Sequence, residues 1–430
     1  MRRKGTKKKQ EICVNNKKTW TIPYDLQTIL YLCGVMKIRK MHTNPTKLVR
    51  PLMGSTLILL MMVLTASSCY CAGTRDGLAA DSSIIEEPAE IKLSLLIAGD
   101  LMQHMPQIKA ALQSDGSYNY DECFAGIKDE VERADVAIAN FETTLAGPPY
   151  SGFPQFSAPD DFLSGVVGAG FDIMLTANNH CVDTHRKGLE RTLTIMDSMG
   201  VYHLGTYRNT DEREKNYPFL LEKDGLRIVL LNFTYGTNGL PVPEPCHVNL
   251  MDTTEIAADL EKAKGMNPDV IIALPHWGVE YQTLPSKAQK DMAKWLLEHG
   301  VDHIIGGHPH VAQPIELLNN KQNLIAWSMG NVVSNQSKPN TYGGYMVRLD
   351  FTKNDSVTIL SDHNYSLYWV SRPPDNGYRH QYRILPIDYP DSLLTTKEKT
   401  LRSAIRVSMR KLMREHGKGE IKEFRLPSSL

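Results

Sequence analysis

Two histidines one residue apart, His308 and His310, follow a glycine pair in the stretch IIGGHPHVAQPIE, residues 304–316. Glycine lets a backbone turn sharply or approach a ligand closely, and residues i and i+2 of an extended segment face the same side. The spacing therefore predicts two imidazoles presented to one point, as a metal site requires. Taken alone, the fragment fits a surface turn equally well.

Residues of ligand type recur at the ends of five further apolar runs. LLIAGDLMQH ends in Asp100 and His104, and VAIANFETTL supplies Asn140 and Glu142. IMLTANNHCVD ends in Asn178, Asn179, His180 and Asp183, IIALPHWGVEY supplies His276 and Glu280, and IAWSMGN supplies Ser328 and Asn331. Each has an ordinary structural explanation by itself: an Asp after a strand caps a helix, an Asn turns the chain, and His276 packs beside Trp277. Six repeats of one placement predict a convergent site, because ligands of an open α/β sheet bind outside the carboxyl ends of its strands. Carboxylate, amide and imidazole donors without thiolate suit divalent Mn, Fe or Zn. The donors suffice for two ions, which would clamp the oxygens of a displacement while one generates hydroxide near neutral pH. Cys181, beside His180, reads as a packed thiol.

The runs alternate with stretches of helical period at 121–133, 184–199, 253–266 and 286–299. In RKGLERTLTIMDSMG, Leu189, Leu193 and Met196 share one face before Gly200 ends it. Alternating strands and helices predict a layered α/β domain over 91–340. Residues 341–430 loosen into a β-meander and a terminal helix, read as completing that domain.

With 42% hydrophobic and 22% charged residues, a chain of this length has the material for a large core. Its 48 basic and 48 acidic side chains cancel, which argues against a nucleic-acid partner. The basic runs MRRKGTKKKQ and IRVSMRKLMREHGKGEIKEFR read as a solvated tail and helix face. Residues 1–71 are read as a leader. Its segment LVRPLMGSTLILLMMVLTASSC has a basic flank, an apolar run too short to span a bilayer, and small residues before Cys69. This resembles a bacterial lipoprotein signal with Cys69 as the lipidated residue, although Ala66 stands where such signals usually carry Leu; cleavage near Ala66–Ala72 is the alternative. Met41 with Lys47 and Arg50 would make a conventional start, so residues 1–40 are read as a mis-called start, the alternative being a cytoplasmic extension with a longer anchor. Residues 72–90, polar and small, read as a tether. The seven cysteines form no C-x-x-C pair, so zinc-finger and thioredoxin-like readings have no support. One or two disulfides fit an oxidising compartment, with no pairing assigned.

The motifs GDLM, NFETTL, NNHCVD, HWGVEY, GHPHVAQ and SMGN, in this order over roughly 93–336, closely resemble the bacterial capsule-synthesis CapA family. These poly-γ-glutamate biosynthesis proteins are related to calcineurin-like metallophosphoesterases. The resemblance implies a four-layer α/β/β/α metallophosphoesterase-like sandwich with its metal site at the strand ends. It implies Asp100, Glu142, Asn179, His180, His276, His308 and His310 as metal ligands, with Asp183 and Glu280 orienting ligands or meeting substrate. His104, Asn140 and Asn331 are further candidates, His104 at a spacing unlike that of related phosphoesterases. One departure is visible: where the family carries D-x-G-x-x-GL, this chain reads DTHRKGL, so His185 replaces a glycine. If the position needs φ > 0, a histidine there is strained.

Two functions compete. The first is an exported, membrane-anchored lipoprotein of capsule or poly-γ-glutamate biosynthesis, acting as a dinuclear-metal hydrolase or transferase through metal-activated hydroxide. His276 or His310 would stabilise charge, and the catalytic set would be His276, His310, Asp183 and Glu280. The second is a non-catalytic accessory protein that binds the envelope polymer or its synthase components. The near-complete ligand set favours catalysis. A sugar-binding lipoprotein ranks last, since only 8% of residues are aromatic and Trp277, Trp295 and Trp327 sit in core-like runs.

Overall fold

The computed structural model describes residues 90–319, 323–355, 357–377 and 381–425, together with two short paired strands, Ile12–Cys13 and Thr19–Trp20. Cys69, the leader apart from those two strands, and the tether up to residue 89 lie outside the described residues.

Two sheets carry the site. In chain order their strands are β1 (Ile91–Leu101), β2 (Val136–Phe141), β3 (Ile173–Leu175), β4 (Tyr202–Leu204), β5 (Phe219–Lys223), β6 (Leu226–Thr234), β7 (Val270–His276) and β8 (His303–Ile305). There follow β9 (Ile315–Leu318), β10 (Asn323–Ala326), β11 (Asn331–Val333), β12 (Gly343–Asn354), β13 (Val357–Ser371), β14 (Arg383–Pro386) and β15 (Lys422–Glu423). The larger sheet has nine strands on the path β14-β13-β12-β1-β2-β3-β4, with β11 also on β1 and β15 on β13. The smaller has six, ordered β9-β10-β8-β7-β6-β5. Parallel pairing joins β1 to β2, β2 to β3, β6 to β7 and β7 to β8, so their carboxyl ends fall on one edge of each sheet.

Strand alternation assigns the layers. Leu93, Leu95, Ile97, Val136 and Ile138 of the larger sheet share one core cluster with Ile228, Leu230, Ile272 and Leu274 of the smaller. Their neighbours Leu96, Ala98, Ala137, Ala139 and Met174 belong to a second cluster with Cys123, Phe124, Phe162 and Val166, which come from helices. Beyond the smaller sheet, Ile256, Leu260, Ala293 and Leu296 supply the other helical layer. The architecture is the α/β/β/α sandwich expected. Each fully buried Leu or Ile in it contributes about 1.5–3 kcal/mol.

The helices are α1 (Met105–Ala111), α2 (Asp160–Gly168), α3 (His185–Ser198), α4 (Thr253–Lys264), α5 (Lys287–Glu298) and α6 (Thr396–His416), with a further short one at Thr210–Asn216 and two, Asp121–Phe124 and Lys128–Glu132, filling the stretch read as helical at 121–133. No helix among the described residues is long and apolar enough to cross a membrane. Cys123, Cys181 and Cys246 are buried free thiols.

Candidate metal centre

Asp100 sits near the end of β1, where the register with β2 shifts between Ala98 and Asp100. Such an irregularity re-aims a side chain. β2 delivers Asn140 and then Glu142; the turn after β3 delivers Asn178, Asn179 and His180; β7 ends on His276. His308 and His310 follow β8, and Asn331 opens β11, paired with Asp100.

These residues converge. Glu142, His276 and His308 offer ligand atoms within 4.8 Å of one another, and so do Asp100, Glu142 and His310. Glu142 belongs to both groups. Asn179 joins the first, its Oδ1 lying 2.8 Å from His276 Nε2. His310 Nδ1 stands 3.3 Å from Asp100 Oδ2, and His310 Nε2 3.7 Å from Glu142 Oε1.

The donor set fits divalent cations. Asp100 and Glu142 are fully buried, and among the described residues neither is paired with Lys or Arg. Glu142 Oε1 and His308 Nδ1 are buried without a hydrogen-bond partner. Two desolvated carboxylates and an orphaned imidazole nitrogen are costly unless a cation completes them. Glu142 shows that cost: burial, then the charge of Asp100, pushes its carboxyl well above the usual range. Burial, with the neighbouring imidazoles, holds His276 and His308 well below theirs, in the neutral form a metal needs.

A second ring of contacts fixes these groups. The Asn140 amide donates to Asp100 Oδ1 at 2.8 Å and lies 3.2 Å from both Glu142 Oε2 and His276 Nδ1. Asn178 donates to Asn140 Oδ1 and to the Phe141 carbonyl. Asn331 Oδ1 stands 3.1 Å from His310 Nδ1. Asp183 Oδ2 lies 2.7 Å from His180 Nδ1 and accepts from the Phe156 backbone at 2.7 Å.

Four sequence expectations change in form, at the His308 and His310 pair, His180, His104 and Glu280. His308 and His310 have φ of 95° and 59°, so they sit in left-handed turn geometry and not in an extended segment. Their rings still face the same centre, with centroids 5.7 Å apart. The preceding glycines explain how: a Cβ on Gly307 would lie 2.8 Å from Asp100 Oδ1, and one on Gly306 2.4 Å from Trp277 Nε1. His180 is in neither ligand group; its Nδ1 is engaged by Asp183. His104 is not in them either, since its Nδ1 faces Gln107 and accepts from the Asn335 backbone. Glu280 is exposed and in neither ligand group, although its charge reaches Glu142. His185 has φ 55°, so this chain carries a histidine in the backbone state that favours glycine. Ser328 bonds the Val311 carbonyl and shapes the loop.

Several functional positions escaped sequence reasoning. Asn232, 1% exposed near the end of β6, accepts from Ala177 N and donates to the Leu274 carbonyl, tying the Asn178–His180 turn to the strand ending in His276. It carries the same signal as the others, a polar residue near the end of an apolar run. Asn238 accepts from the Asn179 amide, and Tyr235 lies over His308 with centroids 4.5 Å apart. Phe156 packs edge-on between His104 and His180, at 5.0 and 4.6 Å. Nothing in the local sequence marks those three.

A four-layer α/β/β/α sandwich with buried carboxylates, amides and imidazoles converging at its strand ends defines a layered α/β protein with a candidate divalent-metal centre. The chain belongs to the bacterial capsule synthesis protein family PGA_cap, whose model matches residues 94–336, more than half of its length. It is similar to the capsule biosynthesis protein CapA of Bacillus anthracis, 26% identical over 281 residues that cover 62% of this chain and 66% of that one. It is also similar to the PGA biosynthesis protein CapA of Bacillus subtilis (strain 168), 28% identical over 185 residues, 43% of this chain and 48% of that one. The chain thus spans two thirds or less of these relatives' lengths. Among solved structures, the calcineurin-like phosphoesterase YfkN from Bacillus subtilis aligns over 75% of this chain and 98% of its own at 16% identity and a TM-score of 0.39.

Proposed function

We propose that the chain is a metal-dependent hydrolase or transferase of capsule-polymer metabolism at the cell envelope. The observation that carries this reading is Glu142 Oε1, buried, unpartnered and common to both ligand groups. Two ions, one held by Asp100, Glu142 and His310 and the other by Glu142, Asn179, His276 and His308, would supply Lewis acidity and an activated water.

The chain's own residues prepare that chemistry. Burial keeps His276 and His308 neutral. The Asn140 amide holds two carboxylates and one imidazole in a fixed relation. Asp183 engages His180 Nδ1, which leaves Nε2 to give or take a proton at a leaving group. His180 and Asp183 are therefore assigned the proton-handling role, and His276 and His310 the role of ligands. Family membership and the relatives' names support the envelope polymer or its synthase components as partner. Anchoring through Cys69 belongs to the same proposal.

The test is turnover by metal-stripped full-length protein after reconstitution with Mn, Fe or Zn, against phosphodiester and γ-glutamyl substrates. Metal-dependent turnover that falls at least about 100-fold in His180→Gln supports the reading. Metal-loaded protein that turns over neither class contradicts it and leaves the accessory role.

A further inference from the structure

Arg372 follows directly on β13 and is 9% exposed. Its guanidinium lies over the Tyr342 ring, 3.8 Å from the centroid, and its Nη1 donates to the Gln336 carbonyl at 2.9 Å. A guanidinium has five donors, and the other donors of Arg372 have no partner among the described residues. No carboxylate pairs with it there. Burial lowers its basicity from the ordinary value, and the nearby charge of Asp375 offsets only part of that.

The residue stands at the edge of the metal centre. Gln336 accepts from Asn331 Nδ2 at 2.9 Å, and Asn331 in turn faces His310. The preceding residue, Asn335, donates its backbone N–H to His104 Nδ1 at 3.3 Å and accepts from the Tyr382 hydroxyl at 2.6 Å. The positive charge of Arg372 is felt at His104, whose ring shares Phe156 with His180. One short loop therefore links the arginine to Asn331, which faces His310, and to His104.

Anchoring that loop needs a single donor. A largely buried cation with no carboxylate in contact is costly, and a cation–π contact returns only part of that cost. The free donors of its planar fork are not among the buried unpartnered atoms and have the geometry that suits an anion. We infer that Arg372 recognises an anionic group, a carboxylate or a phosphate, on the substrate that reaches this centre. The inference rests on the proposed substrate site and names the substrate class.

The test is calorimetric binding of γ-glutamylglutamate and of glycerol 1-phosphate to the full-length, metal-loaded protein and its Arg372→Gln and Arg372→Lys variants. Metal content and Tm are read on the same samples. Affinity for at least one probe should fall tenfold or more in Arg372→Gln with metal retained, and several-fold in Arg372→Lys, which keeps the charge but loses the fork. The probe affected identifies the source of the anion. Arg372→Lys decides the matter should Arg372→Gln lose its fold. Affinities within twofold of wild type, wild-type protein that binds neither probe, or a loss that tracks loss of metal would overturn the inference. Wild-type protein without metal contradicts the proposed function, while the comparison between variants still decides the role of Arg372.

Discussion

Asn140 donates its side-chain amide to Asp100 Oδ1 at 2.8 Å, across the parallel pair β1 and β2. The same amide stands 3.2 Å from Glu142 and from His276, so one neutral residue separates two buried carboxylates and aligns an imidazole. Asn140→Ala should lower metal affinity by about 10- to 100-fold and destabilise the metal-free protein by about 1–3 kcal/mol. Metal titration and thermal denaturation with and without chelator measure both; unchanged values would deny Asn140 this role.

Gly307 gives a sharper separation of fold from site. A methyl group there would lie 2.8 Å from Asp100 Oδ1. Gly307→Ala should displace that carboxylate and weaken metal binding at least about tenfold, while far-UV circular dichroism stays that of the wild type. Full metal affinity in Gly307→Ala would mean that Asp100 is not a ligand.

His185 is exposed, with φ 55°, at the first position of α3. Left-handed backbone costs an L-residue roughly 1–2 kcal/mol, and glycine returns about 0.4–1 kcal/mol of that as unfolded-state entropy. His185→Gly should therefore stabilise the protein by about 0.5–1 kcal/mol, seen as a small rise in Tm. A fall in Tm would show that the histidine side chain contributes more than its backbone costs.

A pH dependence follows from His303, on β8 and away from the ligand groups. Burial, then the charge of His363, lowers it from 6.5 to about 4; its Nδ1 accepts from the Leu324 backbone, and its ring faces Phe351. The folded state binds this proton more weakly than the unfolded state does. Its contribution is thus complete above pH 6.5 and lost as pH falls through about 4. The loss is on the order of 3 kcal/mol. Denaturant unfolding between pH 7 and 4 should show a shallower decline in His303→Leu than in wild type. Equal slopes would place the acid sensitivity elsewhere.

The layered fold was legible because its parallel strands are buried on both faces and read as continuous apolar runs. LRIVLLNFT coincides with β6, Leu226–Thr234. Strand β5 was harder: FLLEK is short and partly charged, and it is the turn at Asp224 and Gly225, both at positive φ, that pairs it with β6. An Asp-Gly between two apolar runs is a hairpin signal in its own right. At the site, the residue types at the strand ends were readable, but the geometry was not. Nothing in GGHPH announces two left-handed histidines, because that backbone is held by contacts with Asp100 and Trp277, from distant parts of the chain. Asn232 carried the readable signal of a polar residue near the end of an apolar run, whereas Arg372 was hidden, since its role exists only where separate segments meet.

In the proposed function Glu142 joins two cation sites. Elemental analysis of purified full-length protein, set beside Glu142→Gln and the His308→Ala/His310→Ala double variant, tests it most directly. Close to two divalent ions per wild-type chain are expected, with both largely lost in Glu142→Gln as well as in the double variant. Wild-type protein that holds no metal after reconstitution with Mn, Fe or Zn, or a Glu142→Gln variant that keeps its full complement, would contradict the account.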